Sequence, residues 1–278
     1  MGDKSEQVVF ITGSASGVGL QLTKRFIAEG YRVIATDINL DALQRLASSE
    51  DWAPEQVWVR GLDIRQGRQW KSLWNEVLSG WEKVDILFNV AGYLLPGYVA
   101  DLEFEQIDRH FDINVKGLMY GSQLAAEHMA GRGAGHIVNI ASLAGLAPVP
   151  GLSLYSASKF AVRGFTLAMA QELKPRGVSV TVICPDAIET PMLDLQEDYE
   201  EAALTFSGGH TLTVTDIEHA VFERVLPKKP IELAIPESRA WLAKLGSAVP
   251  FGSHMLSSYL GKLGRKKQKL RKGSSTLY

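Results

Sequence analysis

Val8-Val9-Phe10-Ile11-Thr12-Gly13-Ser14-Ala15-Ser16-Gly17-Val18-Gly19 is the stretch from which the fold can be read. Its first four residues are an apolar, largely β-branched run, the pattern of a buried strand. Past Gly19, the residues Leu20, Thr23, Phe26 and Ile27 recur at helical spacing, so the glycines occupy a strand-to-helix turn. Glycine allows that turn to be tight and its backbone to approach a phosphate. The helix start adds free N–H groups and the positive end of the helix dipole. The next strand-like segment, Tyr31 to Thr36, ends in Asp37, eighteen residues after Gly19, where an acidic side chain of this architecture meets an adenosine ribose.

Strand and helix patterns keep alternating. A polar helix is predicted over Leu40 to Ser48, a strand over Gln56 to Gly61, a helix around Gln69 to Leu78 and a strand over Val84 to Val90. One long helix from Glu105 to about Arg132 precedes the strand His136 to Ile140. The helix carrying Tyr155 runs to about Lys174 and stops before Pro175-Arg176-Gly177, and strands follow over Val178 to Ile183 and Ile231 to Ile235. This order predicts an α/β chain with a Rossmann-type doubly wound parallel sheet, forming a single domain with a helical C-terminal extension. At 278 residues, 46% of them hydrophobic, one core of that size is ordinary. Open sheets of this kind gather their ligands at the carboxyl ends of the strands.

Tyr155-Ser156-Ala157-Ser158-Lys159 places a phenol and an ammonium at positions i and i+4, on one helix face. A nearby cation favours the phenolate and lowers a tyrosine pKa from about 10, which equips the phenol for general acid/base chemistry. Taken alone, the pair reads equally as two solvated helix-surface side chains.

In combination these motifs resemble those of the short-chain dehydrogenase/reductase family, from about Val8 to about Pro236. The family's TGxxxGxG pattern is met by Thr12, Gly13, Gly17 and Gly19, with Ser16 and Val18 in the same loop. Asp63, in Leu62-Asp63-Ile64, matches the acidic residue before the adenine pocket. Asn89-Val90-Ala91-Gly92 matches the NNAG turn, with Val for the second Asn. The catalytic Asn, Ser, Tyr and Lys of the family fall on Asn114, Ser142, Tyr155 and Lys159. The resemblance implies hydride exchange between NAD(H) and a carbonyl or carbinol carbon, with Tyr155 as general acid/base. Lys159 would lower the Tyr155 pKa and bind the nicotinamide ribose, Ser142 would hold the substrate oxygen, and Asn114 would bend its helix and anchor a water chain. It also implies cofactor contacts from Gly13, Ser16, Gly17, Val18, Gly19, Asp37, Asp63, Ile64, Asn89, Ala91, Gly92, Tyr155, Lys159, Ile188 and Thr190. No metal is implied, and a homodimer or homotetramer is. Without the resemblance, Ser142 reads as a helix cap and Asn114 as a local backbone bond.

Asp37 points to NAD, since a carboxylate accepts hydrogen bonds from both ribose hydroxyls and repels a 2′-phosphate. No basic residue in the glycine loop offsets that repulsion. The family's usual Pro-Gly-x-x-x-Thr is here Pro185-Asp186-Ala187-Ile188-Glu189-Thr190, so Asp186 replaces a glycine. A similar Pro-Asp pattern occurs in relatives that reduce 3-ketosphinganine, but those generally use NADPH, which conflicts with Asp37. Asp186 reads equally as a cap for the next turn. By resemblance, about 193–213 form the substrate lid, with Leu195, Tyr199, Ala202, Ala203, Leu204 and Phe206 as an apolar wall. Asp194, Glu197, Asp198, Glu200 and Glu201 are expected to face water. Such a wall suits a hydrophobic alcohol or ketone.

Residues 237–278 form the extension. Trp241, Leu242, Leu245 and Val249, then Met255, Leu256, Tyr259, Leu260 and Leu263, predict two short amphipathic helices broken at Pro250-Phe251-Gly252. The last eighteen residues carry seven basic and no acidic side chains, which leaves −9 on residues 1–260 against a total of −2. Two readings stand: peripheral contact with an anionic membrane surface, or an apolar stripe that covers the substrate cleft or a subunit partner. Lys244, Ser247, His254 and Ser257 interrupt any spanning run. Basic residues without interleaved aromatics, on an acidic body, argue against nucleic acid.

Cys184 is the single cysteine, so no internal disulfide or multi-Cys metal cluster can form. The N-terminal residues carry no apolar signal core, and a cytoplasmic location is expected, peripheral to a membrane if the tail binds one. Two function classes are compatible with these features. One is an NAD-dependent oxidoreductase acting on a hydrophobic alcohol/ketone pair. The other is a non-catalytic NAD-binding or sensing protein that works through partner contacts.

Overall fold

β1 (Val8–Thr12), β2 (Arg32–Asp37), β3 (Val57–Gly61), β4 (Ile86–Asn89), β5 (Gly135–Ile140), β6 (Val178–Pro185) and β7 (Glu232–Ile235) form one parallel sheet in the order β3-β2-β1-β4-β5-β6-β7. The structure is a computed structural model and describes residues 4–209, 211–248 and 250–275, without the side chains of 248, 250–259 and 273–275. Val249 and the side chains of Met255, Leu256 and Tyr259, counted above in the apolar stripe, therefore lie outside the described residues.

Alternation along β1 builds two cores from one strand. Val9 and Ile11 point to the face covered by α1 (Gly17–Ala28), α8 (Val214–Ala220) and the turns after it. There they meet Leu22, Phe26, Ile217 and Val221. Val8 and Phe10 point to the other face, against α3 (Gly67–Trp81), α5 (Leu118–Arg132) and α6 (Ser153–Leu173). On α3, Trp70, Leu73, Trp74 and Val77 recur at helical spacing and all are buried, so this face of the helix is fixed by sequence. α2 (Leu40–Ser49) covers β2 and β3.

From β1 the chain winds outward to β3, then crosses back to place β4 on the other side of β1. Adjacent crossovers depart in opposite directions at the carboxyl ends of β1 and β4, which opens a crevice there. The glycine loop follows β1 and the Asn89-to-Gly92 turn follows β4, so topology puts both at that crevice.

Two stretches differ from the sequence-based expectations. The long helix expected from Glu105 to Arg132 is α4 (Phe104–Phe111), a π-helical stretch Asp112–Gly117, and then α5. A π stretch inserts a wider turn, and here it swings Asn114 inward. After α7 (Pro191–Leu195), a 3₁₀ segment Glu200–Ser207, α9 (Leu226–Lys228) and β7, the C-terminal region forms two helices that meet at Pro250, as expected, but the second is long rather than short. α10 (Glu237–Ala248) is followed by α11 (Pro250–Ser275), with Pro250 as the first residue of α11. Proline is tolerated there because a first-turn residue needs no N–H donor, so Phe251 and Gly252 continue the helix rather than break it. The seven basic residues of the C-terminal stretch all lie within α11. No helix among the described residues is long and apolar enough to cross a membrane.

Candidate active site

A cleft of about 1240 Å³ lies along the carboxyl ends of the strands, with both Asp37 and Leu260 in its lining. Its first part is backbone. Gly13 and Gly17 adopt φ of +73° and +53°, a region that side chains disfavour. A Cβ on Gly19 would stand 2.0 Å from the Gly13 carbonyl oxygen, so this position admits only glycine without rearrangement. Ser16 is the N-cap of α1 but makes no side-chain capping bond, and the first-turn N–H groups of α1 are left to other acceptors. The Thr12 hydroxyl ties this loop to the turn after β4, accepting from Val90 N–H at 2.9 Å and Ala91 N–H at 3.1 Å. The Asp37 carboxylate at the end of β2 accepts from Ala15 N–H at 3.0 Å and Asn39 N–H at 2.9 Å. These features fit a dinucleotide: a close backbone approach, a helix start and a carboxylate fixed beside the loop by Ala15 N–H.

Gly13, Ser16, Gly17, Val18, Gly19, Asp37, Asp63, Ile64, Ala91, Gly92, Ile188 and Thr190 all line the cleft. Asn89 does not. It is buried below the cleft floor, where its amide donates to Asn139 Oδ1 at 2.8 Å and Ser122 Oγ at 3.0 Å, bracing β4 against β5 and α5. The assignment of Asn89 as a cofactor contact is corrected to a brace, because its side chain points into the helix layer. The Asp63 carboxylate is engaged by Arg65 at 2.8 to 3.1 Å, and this pairing holds it below its ordinary pKa.

Ser142, Tyr155 and Lys159 meet at the inner end of the cleft. Ser142 follows β5, and its hydroxyl accepts from Ala144 N–H at 3.1 Å, so the helix-cap reading and the cleft position both hold. Lys159 is almost fully buried, and its ammonium donates to the Ile140 carbonyl at 2.9 Å. The Lys159 ammonium lies 5.5 Å from the centroid of the Tyr155 ring. Burial pushes the Tyr155 phenol up to about 12, against a downward pull from the Ser142 hydroxyl, and pushes Lys159 down to about 8. Burial outweighs every other influence on Tyr155, so its net shift is upward rather than the lowering expected from Lys159. The enclosing apolar shell disfavours both charged forms, and the ammonium is directed to a backbone carbonyl instead.

Asn114 lies one layer behind. Its Oδ1 accepts from Tyr93 N–H at 2.7 Å, and its amide donates to the Tyr93 carbonyl at 2.8 Å and to Ser158 Oγ at 3.0 Å. A Cβ on Gly92 would lie 3.5 Å from Asn114 Oδ1 and 3.7 Å from Lys159 Nζ, so Gly92 is the point at which these groups converge. Asn114 does not line the cleft; it positions the turn and the Tyr155 helix.

Of the expected lid wall, Leu204 reaches the cleft, together with Met192, Leu193 and Gln196 from the preceding turn. Leu195 points outward, while Ala202 is buried against Leu94 and Leu152, with Tyr199 and Phe206 packed on that cluster. The lid acids do not all face water. Arg271 of α11 binds Glu197 and, at 3.1 Å, Asp194, while Lys272 binds Asp198 at 2.7 Å. Asp186 is paired with Arg239 of α10, and burial pushes its carboxyl up while the guanidinium pulls it down. Sequence reasoning missed Arg65, Tyr93, Arg109 and Arg239 as cleft residues. Arg65 and Tyr93 had a signal, two positions past Asp63 and next to Gly92; Arg109 and Arg239 had none, because tertiary packing brings them in.

With this geometry in view, a family model described as short chain dehydrogenase matches residues 7–201. The chain is 34% identical over 200 residues to a 3-oxoacyl-[acyl-carrier-protein] reductase of Thermotoga maritima, covering 72% of this chain and 81% of that one. It is 34% identical over 199 residues to a 3-alpha-(or 20-beta)-hydroxysteroid dehydrogenase of Mycobacterium bovis, covering 71% and 75%. A short-chain dehydrogenase/reductase from Burkholderia phymatum, solved in complex with NAD, superposes with a TM-score of 0.79 at 26% identity, over 88% of this chain and 94% of the other. A closed serine dehydrogenase complexed with NADP+ gives 0.75 at 30%, over 82% and 94%. The chain belongs to the short-chain dehydrogenase/reductase family and is an oxidoreductase.

Proposed function

We propose that the protein transfers hydride between NAD(H) and a hydrophobic alcohol or ketone, with Tyr155 as the general acid/base. The observation that carries this reading is the meeting of Ser142, Tyr155 and Lys159 on the same cleft as the glycine loop and Asp37. A bound nicotinamide supplies the hydride chemistry. The rest falls to the chain's own side chains. Ser142 and the Tyr155 phenol hold the substrate oxygen, and a neutral phenol, favoured by its burial, donates its proton to the oxygen as alkoxide develops. Lys159 is a donor within the same pocket, and its lowered pKa lets it exchange protons near neutral pH.

Asp37 supports NAD over NADP. Two backbone N–H groups fix its carboxylate where a 2′-phosphate would meet like charge. Relatives differ on this point, since the similar 3-hydroxy acid dehydrogenase of Escherichia coli is NADP-dependent by name. Leu143, Val149, Leu152, Met192, Leu204 and Leu260 along the outer cleft support an apolar substrate, as do the 3-oxoacyl and hydroxysteroid activities named for relatives. A homo-oligomer would cover the exposed Val99 and Phe104. Lone, buried Cys184 suits a reducing compartment such as the cytoplasm. For the extension, the ion pairs of Arg271 and Lys272 with the lid favour covering the cleft over binding a membrane.

The test is a screen of purified protein against hydrophobic alcohols and ketones with NAD(H) and NADP(H), repeated with Tyr155→Phe. Turnover that vanishes in the variant supports the proposal. Full biological activity in that variant would instead favour a non-catalytic, NAD-sensing role.

A further inference from the structure

α11 lies past the stretch that the family model matches and packs on the lid segment Glu200–Ser207. Its contact is built at close range. Gly264 sits so near the lid that a Cβ there would stand 1.9 Å from the Ala203 carbonyl oxygen. One turn on, Gln268 is 6% exposed, and its amide Nε2 donates to the Tyr199 carbonyl at 2.7 Å and the Gln196 carbonyl at 2.9 Å, with the Glu197 carbonyl at 3.4 Å. These carbonyls lie at the end of a 3₁₀ turn over Gln196–Asp198, where Gln196 also accepts from Tyr199 N–H at 3.3 Å and Tyr199 from Ala202 N–H at 3.1 Å, so Gln268 uses the second acceptor site of each. Arg271 and Lys272 flank the contact with ion pairs to Asp194, Glu197 and Asp198.

The hydrogen bonds continue into the cleft. Gln196, whose carbonyl Gln268 holds, donates its own amide to the Met192 carbonyl at 3.0 Å and accepts from Thr205 Oγ1 at 2.9 Å. Met192, Gln196 and Thr205 all line the cleft, next to Leu204 and Leu260. A buried amide on α11 thus fixes the wall against which the far end of a substrate would rest.

We propose that Gln268 is a positioning residue for substrate. By donating to the lid carbonyls it holds the lid on α11 and completes, within one chain, the apolar wall that grips a long substrate tail. The proposal rests on the oxidoreductase reading above and deepens it: preference for long-chain over short-chain carbonyl compounds is set by a helix outside the family's common core. The pairs of Arg271 with Asp194 and of Lys272 with Asp198 contribute less, since exposed pairs are screened while the buried amide has no competing water.

The experiment compares the full-length protein with Gln268→Met, which keeps the length of the side chain and removes its N–H donors. Two readouts are taken: hydrogen exchange of the lid amides over 191–207, and KM and kcat with NADH for acetone and for methyl nonyl ketone. The variant is expected to exchange faster in the lid alone and to show a KM for the long ketone raised about tenfold, with kcat for acetone unchanged. Gly264→Leu, which wedges the same contact apart, should give the same pattern. Lid exchange that does not change, or a KM that rises equally for both ketones, overturns the proposal. Faster lid exchange in a protein that turns over neither ketone supports the clamp and counts against the substrate reading.

Discussion

The side chain of Asn114 closes on the backbone of Tyr93 from both sides, accepting from its N–H at 2.7 Å and donating to its carbonyl at 2.8 Å. Tyr93 follows the Asn89-to-Gly92 turn, so this double bond acts as a substitute strand pairing that holds the turn against the π-helical stretch. Asn114→Ala leaves a backbone donor and acceptor of Tyr93 without partners in a part-buried site. It should destabilise the protein by about 2 kcal/mol or more. Urea unfolding would read this as a lower midpoint at unchanged slope.

Tyr155→Phe keeps the ring that packs in the cleft and removes the only proton the phenol can give. Turnover should fall by about 10²- to 10⁴-fold while NADH affinity stays near that of the parent. Steady-state rates paired with a fluorescence titration of NADH separate the two effects.

Asp37→Ala removes a carboxylate that also accepts from Ala15 and Asn39. NAD(H) should bind less tightly, by about tenfold, and the gap to NADP(H) should narrow as the like-charge repulsion goes. Equal affinities for the two cofactors in the parent protein would refute the assignment.

His136 in β5 is buried, and its Nε2 lies 2.9 Å from Thr181 Oγ1, whose own proton goes to the Pro230 carbonyl at 2.6 Å. The histidine is thus the donor, and the neutral Nε2–H tautomer is the one that fits. Burial pushes its pKa down to about 3. Between the ordinary value of about 6.5 and about 3 the unfolded chain binds a proton that the folded one does not. Stability is therefore lost as pH falls through that window. His136→Gln should flatten the slope of unfolding free energy against pH over that range, measured by urea titration at several pH values.

Lys159 gives a slope of the same sign on the alkaline side. Its folded pKa, lowered to about 8 from 10.5, means that the unfolded chain holds the extra proton between those values, so stability gained from this group rises with pH there. Lys159→Met should lose that rise along with turnover. An unchanged pH profile of stability would show that the lysine is not held in an apolar site.

The glycine loop, Asp37 and the Tyr155–Lys159 pair were legible in the chain because each rests on local geometry. A β-branched run, a glycine turn and a helix start lie within twenty positions, and i to i+4 spacing on one helix needs no partner. The parallel pairing of the sheet followed from the alternation of strand and helix, since parallel strands require crossovers. Asn89 was misplaced because a strand-end side chain can point to the cleft or to the helix layer, and its neighbours Ser122 and Asn139 decided the second.

By itself, then, the sequence determined the parallel sheet, the glycine turn between strand and helix, and the placement of Tyr155 and Lys159 on one helix face, all through short-range periodicity and turn chemistry. Only the tertiary structure decided that Lys159 turns to the Ile140 carbonyl, that Asp186 is held by Arg239, and that Gln268 reaches the lid carbonyls. The physical reason is the same in each case. A buried polar group takes whichever partner the packing of distant segments brings within hydrogen-bond reach, and no local pattern records that choice.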